Sequence, residues 1–374
     1  MAGAITQVAM RWYLGIEIGG TKLQIAVGRG EGEPFCAAWR GPIEASQNAA
    51  RIQQQIVAGV DELLGKARLT RQQIAGVAIG FGGPVDTRRG LIVTSHQVAG
   101  WDNFALVKWF DARFGWPAVL HNDADTAAYA ESRFGAGRGF DPVLYVTVGS
   151  GIGGGLICGG EIFRGSGAGA IEIGHLRPGH MPRHVSLAGA SVEAIASGFG
   201  IEDRARRSIA EWEEATLRVE GRFAASAAGP DPGTAPAFPE RFATLMKLVD
   251  GDRTRITTRI IAQAAAQGDR LSRDLLGDAT DTLGWALAQA KTLINPARIV
   301  IGGGVSLIGQ ELFFEPVREA CRAEVFPPFG ENAEIVPAAL GEEVVIHGAL
   351  ALARNAFHRE PALKTFAPEE SGDA

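Results

Sequence analysis

The chain is poor in the residues that would tie it to a membrane, an oxidising compartment or a nucleic acid. Only three cysteines occur in 374 residues, Cys36, Cys158 and Cys321. They stand far apart and match no disulfide or zinc spacing, which points to a reducing cytoplasm. No apolar run approaches the roughly 18 residues that a membrane span requires. The opening "MAGAITQVAMR" lacks a charged leader, an apolar core and a small-residue cleavage site, so no secretory signal is expected. Nor is there a basic tract: the formal charge is −6, which argues against nucleic acid as a partner.

Glycine is what the chain has in excess. Its 50 glycines far exceed the average of about 7%. They cluster at the ends of apolar runs rather than along a linker, as in a backbone shaped for close ligand approach. The length favours two lobes of roughly 150 residues or more. The first reads βββαβαβα. "YLGIEIGGTKLQIAVG" is a hairpin, "PFCAAWR" a third strand, and "SQNAARIQQQIVAGVDELLGKA" a helix with Ile52, Ile56, Val60, Leu63 and Leu64 on one face. A buried strand "IAGVAIGFGGP", a helix "NFALVKWFDARFG", a strand "PAVLHND" and a helix "ADTAAYAESRFG" follow.

"YVTVGSGIGGGLICGG" then restarts the hairpin plan, which reads as an internal duplication of architecture. A helix is expected at "ASVEAIASGFGIEDRARRS", two long helical stretches over 256–293, a strand at "ARIVIGGG", a further helix, a strand near "AEIVPA" and a last helix "VVIHGALALARNAF". Between them the stretch 211–252, rich in Ala, Gly and Pro, reads as an inserted, partly mobile excursion. The resulting division is a small lobe over 11–122 plus 345–358, a large lobe over 123–344, and a frayed tail over 359–374.

Neither glycine turn fits a helix-borne phosphate loop. "GSGIGG" follows a strand but precedes another strand, and "GIEIGGTK" has the wrong Gly-Thr-Lys order with no helix after it. Taken singly, each hairpin reads as a tight turn that glycine permits. Their repetition, with hydroxyls at Thr21 and Ser150, favours paired backbone cradles for phosphate. "IVIGGGVS" supplies a third glycine turn at a strand end.

With these motifs in order, the chain resembles the ROK family of sugar kinases. The resemblance covers about 14–352. It rests on "GIEIGGTK", "GFGGPVD", "HNDADTAAYAE", "TVGSGIGGGLI", "EIGH", "VEAIASG" and "INPARIVIGGGVS". It implies an α/β, two-lobed actin-like ATPase (ribonuclease H-like) fold, each lobe a mixed sheet opened by a glycine-turn hairpin and flanked by helices. It also implies ATP and Mg²⁺ as cofactors, with Glu17, Gly19, Gly20, Thr21, Lys22, Gly149, Ser150, Gly151, Gly303 and Gly304 toward the nucleotide. Gly83, Gln97, Asn122, Asp123, Glu172, His175 and Glu193 would face a hexose. Family habit implies a homo-oligomer, dimer or tetramer, with hexose and ATP as its small-molecule partners.

Three departures stand out. Glu17 replaces the family's Asp, Gln97 stands where many members have Asn, and "LRPGHMPRHVSLAGAS" lacks the family's cysteine zinc loop. A structural zinc is therefore not expected, although His175, His180 and His184 fall within ten residues, a spacing at which imidazoles can bind the metal.

Asp123 reads as the general base for the sugar hydroxyl, with Asn122 holding a neighbouring hydroxyl. On local context alone the pair reads equally as a helix N-cap. Glu172 reads alternatively as a turn carboxylate and Glu193 as a solvated helix face. The expected activity is ATP-dependent phosphorylation of a hexose, glucose first, at the 6-hydroxyl. Its competitors are a kinase for fructose, mannose, N-acetylglucosamine or N-acetylmannosamine, and a catalytically weak sugar or nucleotide sensor. A sugar-sensing regulator is disfavoured, since only about a dozen residues precede the first hairpin, too few for a helix-turn-helix.

Overall fold

The computed structural model describes residues 11–44, 47–95, 98–166, 169–178, 190–224, 239–330 and 334–358, with backbone alone for 217–224. The opening hairpin pairs β1 (Trp12–Ile18) with β2 (Lys22–Gly28) in antiparallel register, Glu17 opposite Gln24 and Ile18 opposite Leu23. Nearly every residue of both strands is buried, because helices cover both faces and leave no solvent side to alternate toward. β3 (Ala37–Pro42) extends this hairpin at one edge. α1 (Ala49–Ala67) crosses to β4 (Ile74–Phe81), which runs parallel to β1. The helix is capped by Asn48 and buries Ile52, Ile56, Val60, Leu63 and Leu64, the stripe expected from its period.

A small ribbon of β5 (Val85–Asp86) and β6 (Leu91–Ile92) follows, which the sequence did not signal. After α2 (Leu106–Phe114), β7 (Ala118–Asn122) pairs parallel with β4, and α3 (Asp123–Phe134) leaves its end. The first sheet thus has the order β3-β2-β1-β4-β7.

The second sheet repeats the plan. β8 (Val143–Val148) and β9 (Ile152–Cys158) form its hairpin, with β10 (Glu161–Ile162) at the edge. The helical part comprises α4 (Val192–Ala196), α5 (Gly198–Ala224), α6 (Ala243–Leu248), α7 (Thr258–Ala266) and α8 (Arg270–Ile294). β11 (Arg298–Gly302) then pairs parallel with β8, α9 (Glu315–Glu324) follows, and β12 (Glu334–Pro337) closes the order β10-β9-β8-β11-β12. Position by position, this is the order of the first sheet. α3 and the last helix, α10 (Val344–Phe357), share one apolar cluster with both sheets, joining Tyr13 and Ala78 to Tyr145 and Val300. Among the described residues no helix is long and apolar enough to cross a membrane.

Two expectations change. The single helix expected across "ASVEAIASGFG" is broken at Ser197, which has extended backbone and whose hydroxyl accepts the N–H of Gly200, ending α4 and starting α5. The excursion expected over 211–252 is also narrower. α5 runs through 211–224, where helix formers outnumber breakers. On the far side Phe242, Leu245, Met246 and Val249 are buried, with the Phe242 ring 5.3 Å from that of Trp212. The Gly- and Pro-rich centre and the stretch 359–374 lie outside the described residues.

Candidate active site

Three parallel strands stop in line. The register sets Ile18 beside Phe81 and Phe81 beside Asn122, so Gly19, Gly82 and Asp123 follow side by side at the carboxyl edge of the sheet. Such edges are where open α/β sheets bind ligands. A methyl group at Gly82 would lie 3.3 Å from Asp123 Oδ2 and 3.5 Å from the Cα of Gly19. A side chain at residue 82 would therefore touch both the carboxylate and the seat of the first glycine turn.

Asn122 has two tasks. Its Oδ1 accepts the N–H groups of Ala124 at 2.9 Å and Asp125 at 3.3 Å, capping α3, and its Nδ2 donates to the carbonyl of Gly83 at 3.1 Å. The cap is Asn122, which frees Asp123 from that structural duty; Asp123 Oδ1 accepts the adjacent Ala124 N–H at 2.8 Å. Burial, then the charge of Glu17, push the Asp123 carboxyl up to about 6, and Glu172 adds to the rise.

The first hairpin holds Glu17 as an engaged group. Its Oε2 accepts from Gln24 Nε2 at 2.6 Å and its Oε1 lies 3.3 Å from Lys22 Nζ. Burial nevertheless raises its pKa above the usual carboxylate value, against the pull of Lys22. Gln24 also accepts from Arg40 and donates to the carbonyl of Glu342, fastening the start of α10 to the hairpin. Gln24 was missed in the sequence, though a tight turn after Ile18 places it directly opposite Glu17.

Neither Gly19, Gly20, Gly149 nor Gly151 has left-handed backbone. The Gly19 N–H is spent on the carbonyl of Lys22 and that of Gly149 on Gly151. The N–H groups of Gly20, Thr21, Ser150 and Gly151 make no hydrogen bond among the described residues. These four, two from each hairpin, are donors available to an anion. β9 lies against the start of α3, where a methyl at Gly155 would meet the Ala124 carbonyl at 2.9 Å. The second hairpin is thereby tied to the helix that begins at Asp123. Gly303 is required as glycine: its φ is 89°, and a Cβ would stand 2.5 Å from the backbone of Val148 at the end of β8. Gly304 opens the short helical turn Gly304–Ile308.

The residues expected around the sugar are partly assembled. Glu172 precedes the turn Ile173–His175 and is near enough to raise both Asp123 and Asp125 by its charge. His175 is exposed in that turn. Glu193 has a scaffold partner instead of an open face, its Oε2 accepting the Ile152 N–H at 2.7 Å and bracing the second hairpin against α4. Gln97, His180 and His184 lie outside the described residues. Among the described residues no group of three or more His, Cys, Asp or Glu is arranged to hold a metal ion.

Sequence reasoning also passed over a buried group beneath Asp123. Asp125 is buried with Oδ1 unpartnered, and burial carries its carboxyl up to about 7, with Asp123 and Glu172 adding to the rise against the pull of Arg164. Arg164 Nη2 lies 3.4 Å from His121 Nδ1, and burial with that cation lowers the imidazole to about 3. Only the repeated acids in "NDAD" hinted at it.

Comparison with known proteins adds an independent line. The family model described as the ROK family matches residues 13–356. A glucokinase of Streptomyces coelicolor is 30% identical over 346 residues, covering 91% of this chain and 97% of the relative. A glucokinase of Halalkalibacterium halodurans is 28% identical over 342 residues, covering 90% and 93%. Among solved structures, a ROK family glucokinase from Streptomyces griseus in complex with glucose and AMPPNP superposes with a TM-score of 0.71 at 30% identity, covering 92% of this chain and 99% of that one.

Proposed function

The chain belongs to the ROK family and is a sugar kinase, and from that premise we propose that it transfers the γ-phosphoryl group of ATP to the 6-hydroxyl of a hexose, glucose first, with Asp123 as general base. The observation that carries this reading is that Asp123 follows its strand beside Gly82 and Gly19 at the carboxyl edge of the sheet, with Oδ2 and the Gly19 Cα both within 3.5 Å of where a Cβ on Gly82 would stand. It sets a proton acceptor where a phosphate-holding turn ends. Phosphoryl transfer asks little else of a protein than alignment and charge stabilisation. A carboxyl near 6 is ionised at neutral pH yet basic enough to take a proton as the oxygen attacks.

In this reading the N–H groups of Gly20 and Thr21 hold the nucleotide's phosphates from one lobe, and those of Ser150 and Gly151 from the other. Gly303 and Gly304 turn toward the nucleoside. Asn122, Gly83, Glu172 and His175 supply polar contacts to the sugar, which select it because a missing hydroxyl would leave one of them unpaired. The carboxylates of Glu17 and Asp123 fit a hard ion that rides on ATP and needs only one or two protein oxygens. Mg²⁺ held there would neutralise charge on the phosphates.

ADP release by the purified protein with ATP and Mg²⁺, measured across glucose, mannose, fructose and their N-acetylated amines, tests the proposal. Hexose-dependent release greatest with glucose is expected. Release with another sugar of the panel reassigns the acceptor, and none with any of them favours the sensor.

A further inference from the structure

A second charged concavity lies away from the glycine turns. Between the last turn of α8, α9 and the edge strand β12 is a cavity of about 350 Å³, lined by Lys291, Arg318, Cys321, Arg322 and Glu334. Among the described residues, three cations thus face one carboxylate in a chain whose net charge is −6. That carboxylate is already engaged, Glu334 Oε2 lying 2.5 Å from Arg298 Nη2. Arg298 and Glu334 are paired first residues of β11 and β12, whereas Gly303 follows the other end of β11. The cavity and the nucleotide turn are therefore separated by the length of a five-residue strand, roughly 15 Å.

Lys291 is the unusual member. It is 2% exposed and has no hydrogen bond or ion pair among the described residues. Burial lowers its pKa below the ordinary lysine value, and only the thiol of Cys321 pulls the other way. The stem is buried while the ammonium opens on the cavity, a cation with three donors and no counter-charge of its own among the described residues. Arg318 is already held in place, Nε donating to the carbonyl of Ile335 at 2.8 Å and Nη1 to Gln310 Oε1 at 2.9 Å. Arg322 is exposed.

We propose that this cavity binds a dianionic phosphate group, free or as the monoester of a small metabolite, between Lys291, Arg318 and Arg322. The volume is at the small end of ligand sites, and paired guanidinium and ammonium groups are the usual recognition set for phosphate.

The test is equilibrium binding of inorganic phosphate and of glycerol 3-phosphate to the full chain with AMPPNP saturating, for wild type, Lys291→Met and Arg322→Gln. Wild type should bind one equivalent of either probe. Tighter binding of glycerol 3-phosphate would identify a monoester site, and equal binding a site for the phosphate group alone. Lys291→Met should weaken both probes by at least about tenfold, in a ligand-free protein that still melts cooperatively. Arg322→Gln, on an exposed side chain, should weaken them severalfold with melting unchanged. Binding that AMPPNP abolishes, that is absent from wild type, or that both variants retain within twofold would overturn the proposal.

Discussion

The side-chain amide of Asn122 donates to the carbonyl of Gly83 at 3.1 Å while its oxygen caps α3. One residue thus fixes the start of the helix that bears Asp123 and the turn after β4. Asn122→Ala should cost about 1–2 kcal/mol of stability through the lost cap. It should also raise KM for the sugar more than KM for ATP, since Gly83 would lose its tether. Urea unfolding together with steady-state kinetics separates the two effects.

The pH profile depends on Glu17. As the proposed base Asp123 must be ionised to accept a proton, and its carboxyl is raised to about 6 by burial and by the charge of Glu17. Activity should therefore fall as pH drops through about 6, with the limb visible in kcat/KM for the free enzyme. Glu17→Gln removes the neighbouring negative charge, so the limb should move to lower pH. The charge of Asp123 in turn adds to the rise of Asp125. An unmoved limb would assign it to another group.

Gly149 and Gly303 separate ligand approach from backbone necessity. A methyl at Gly149 meets nothing within 4 Å and the residue has no left-handed backbone, whereas Gly303 has φ 89° and no room beside Val148. Gly149→Ala should leave stability within about 0.5 kcal/mol yet raise KM for ATP severalfold, because in the proposed reading phosphate lies against that turn. Gly303→Ala should cost about 1–3 kcal/mol in strain. Unchanged KM for ATP in Gly149→Ala would return the second hairpin to an ordinary turn.

Glu131 is a fully buried carboxylate that accepts the N–H groups of Ala136, Ala339 and Leu340, tying α3 to the segment before α10. Glu131→Ala leaves three donors without an acceptor and should destabilise by about 3 kcal/mol or more, with a lower urea midpoint. Glu131→Gln should recover only part of this, since its amide nitrogen would face an N–H group.

The sequence exposed what repeats and what changes period. The two glycine hairpins, the apolar face of α1 and the strand-to-helix step at Asn122 and Asp123 are local patterns, and the structure carries each of them. What stayed hidden depends on partners distant along the chain. Gln24 looks like a strand polar residue until register sets it against Glu17, and Lys291 looks like a helix-end cation until α9 and β12 bury it. Glu193 looked solvated because nothing in "SVEAIAS" announces the Ile152 N–H 41 residues earlier. The break at Ser197 was masked by apolar spacing that continues across it, since α4 and α5 present their buried residues to the same cluster.

The most direct test is hexose-dependent ADP release by Asp123→Asn against wild type, with the fold of both checked by thermal melting. The predicted result is a loss of turnover of about 10²- to 10⁴-fold in a variant that still melts cooperatively and binds both sugar and ATP. Turnover within threefold of wild type would mean that another group takes the hydroxyl proton, and would contradict the assignment.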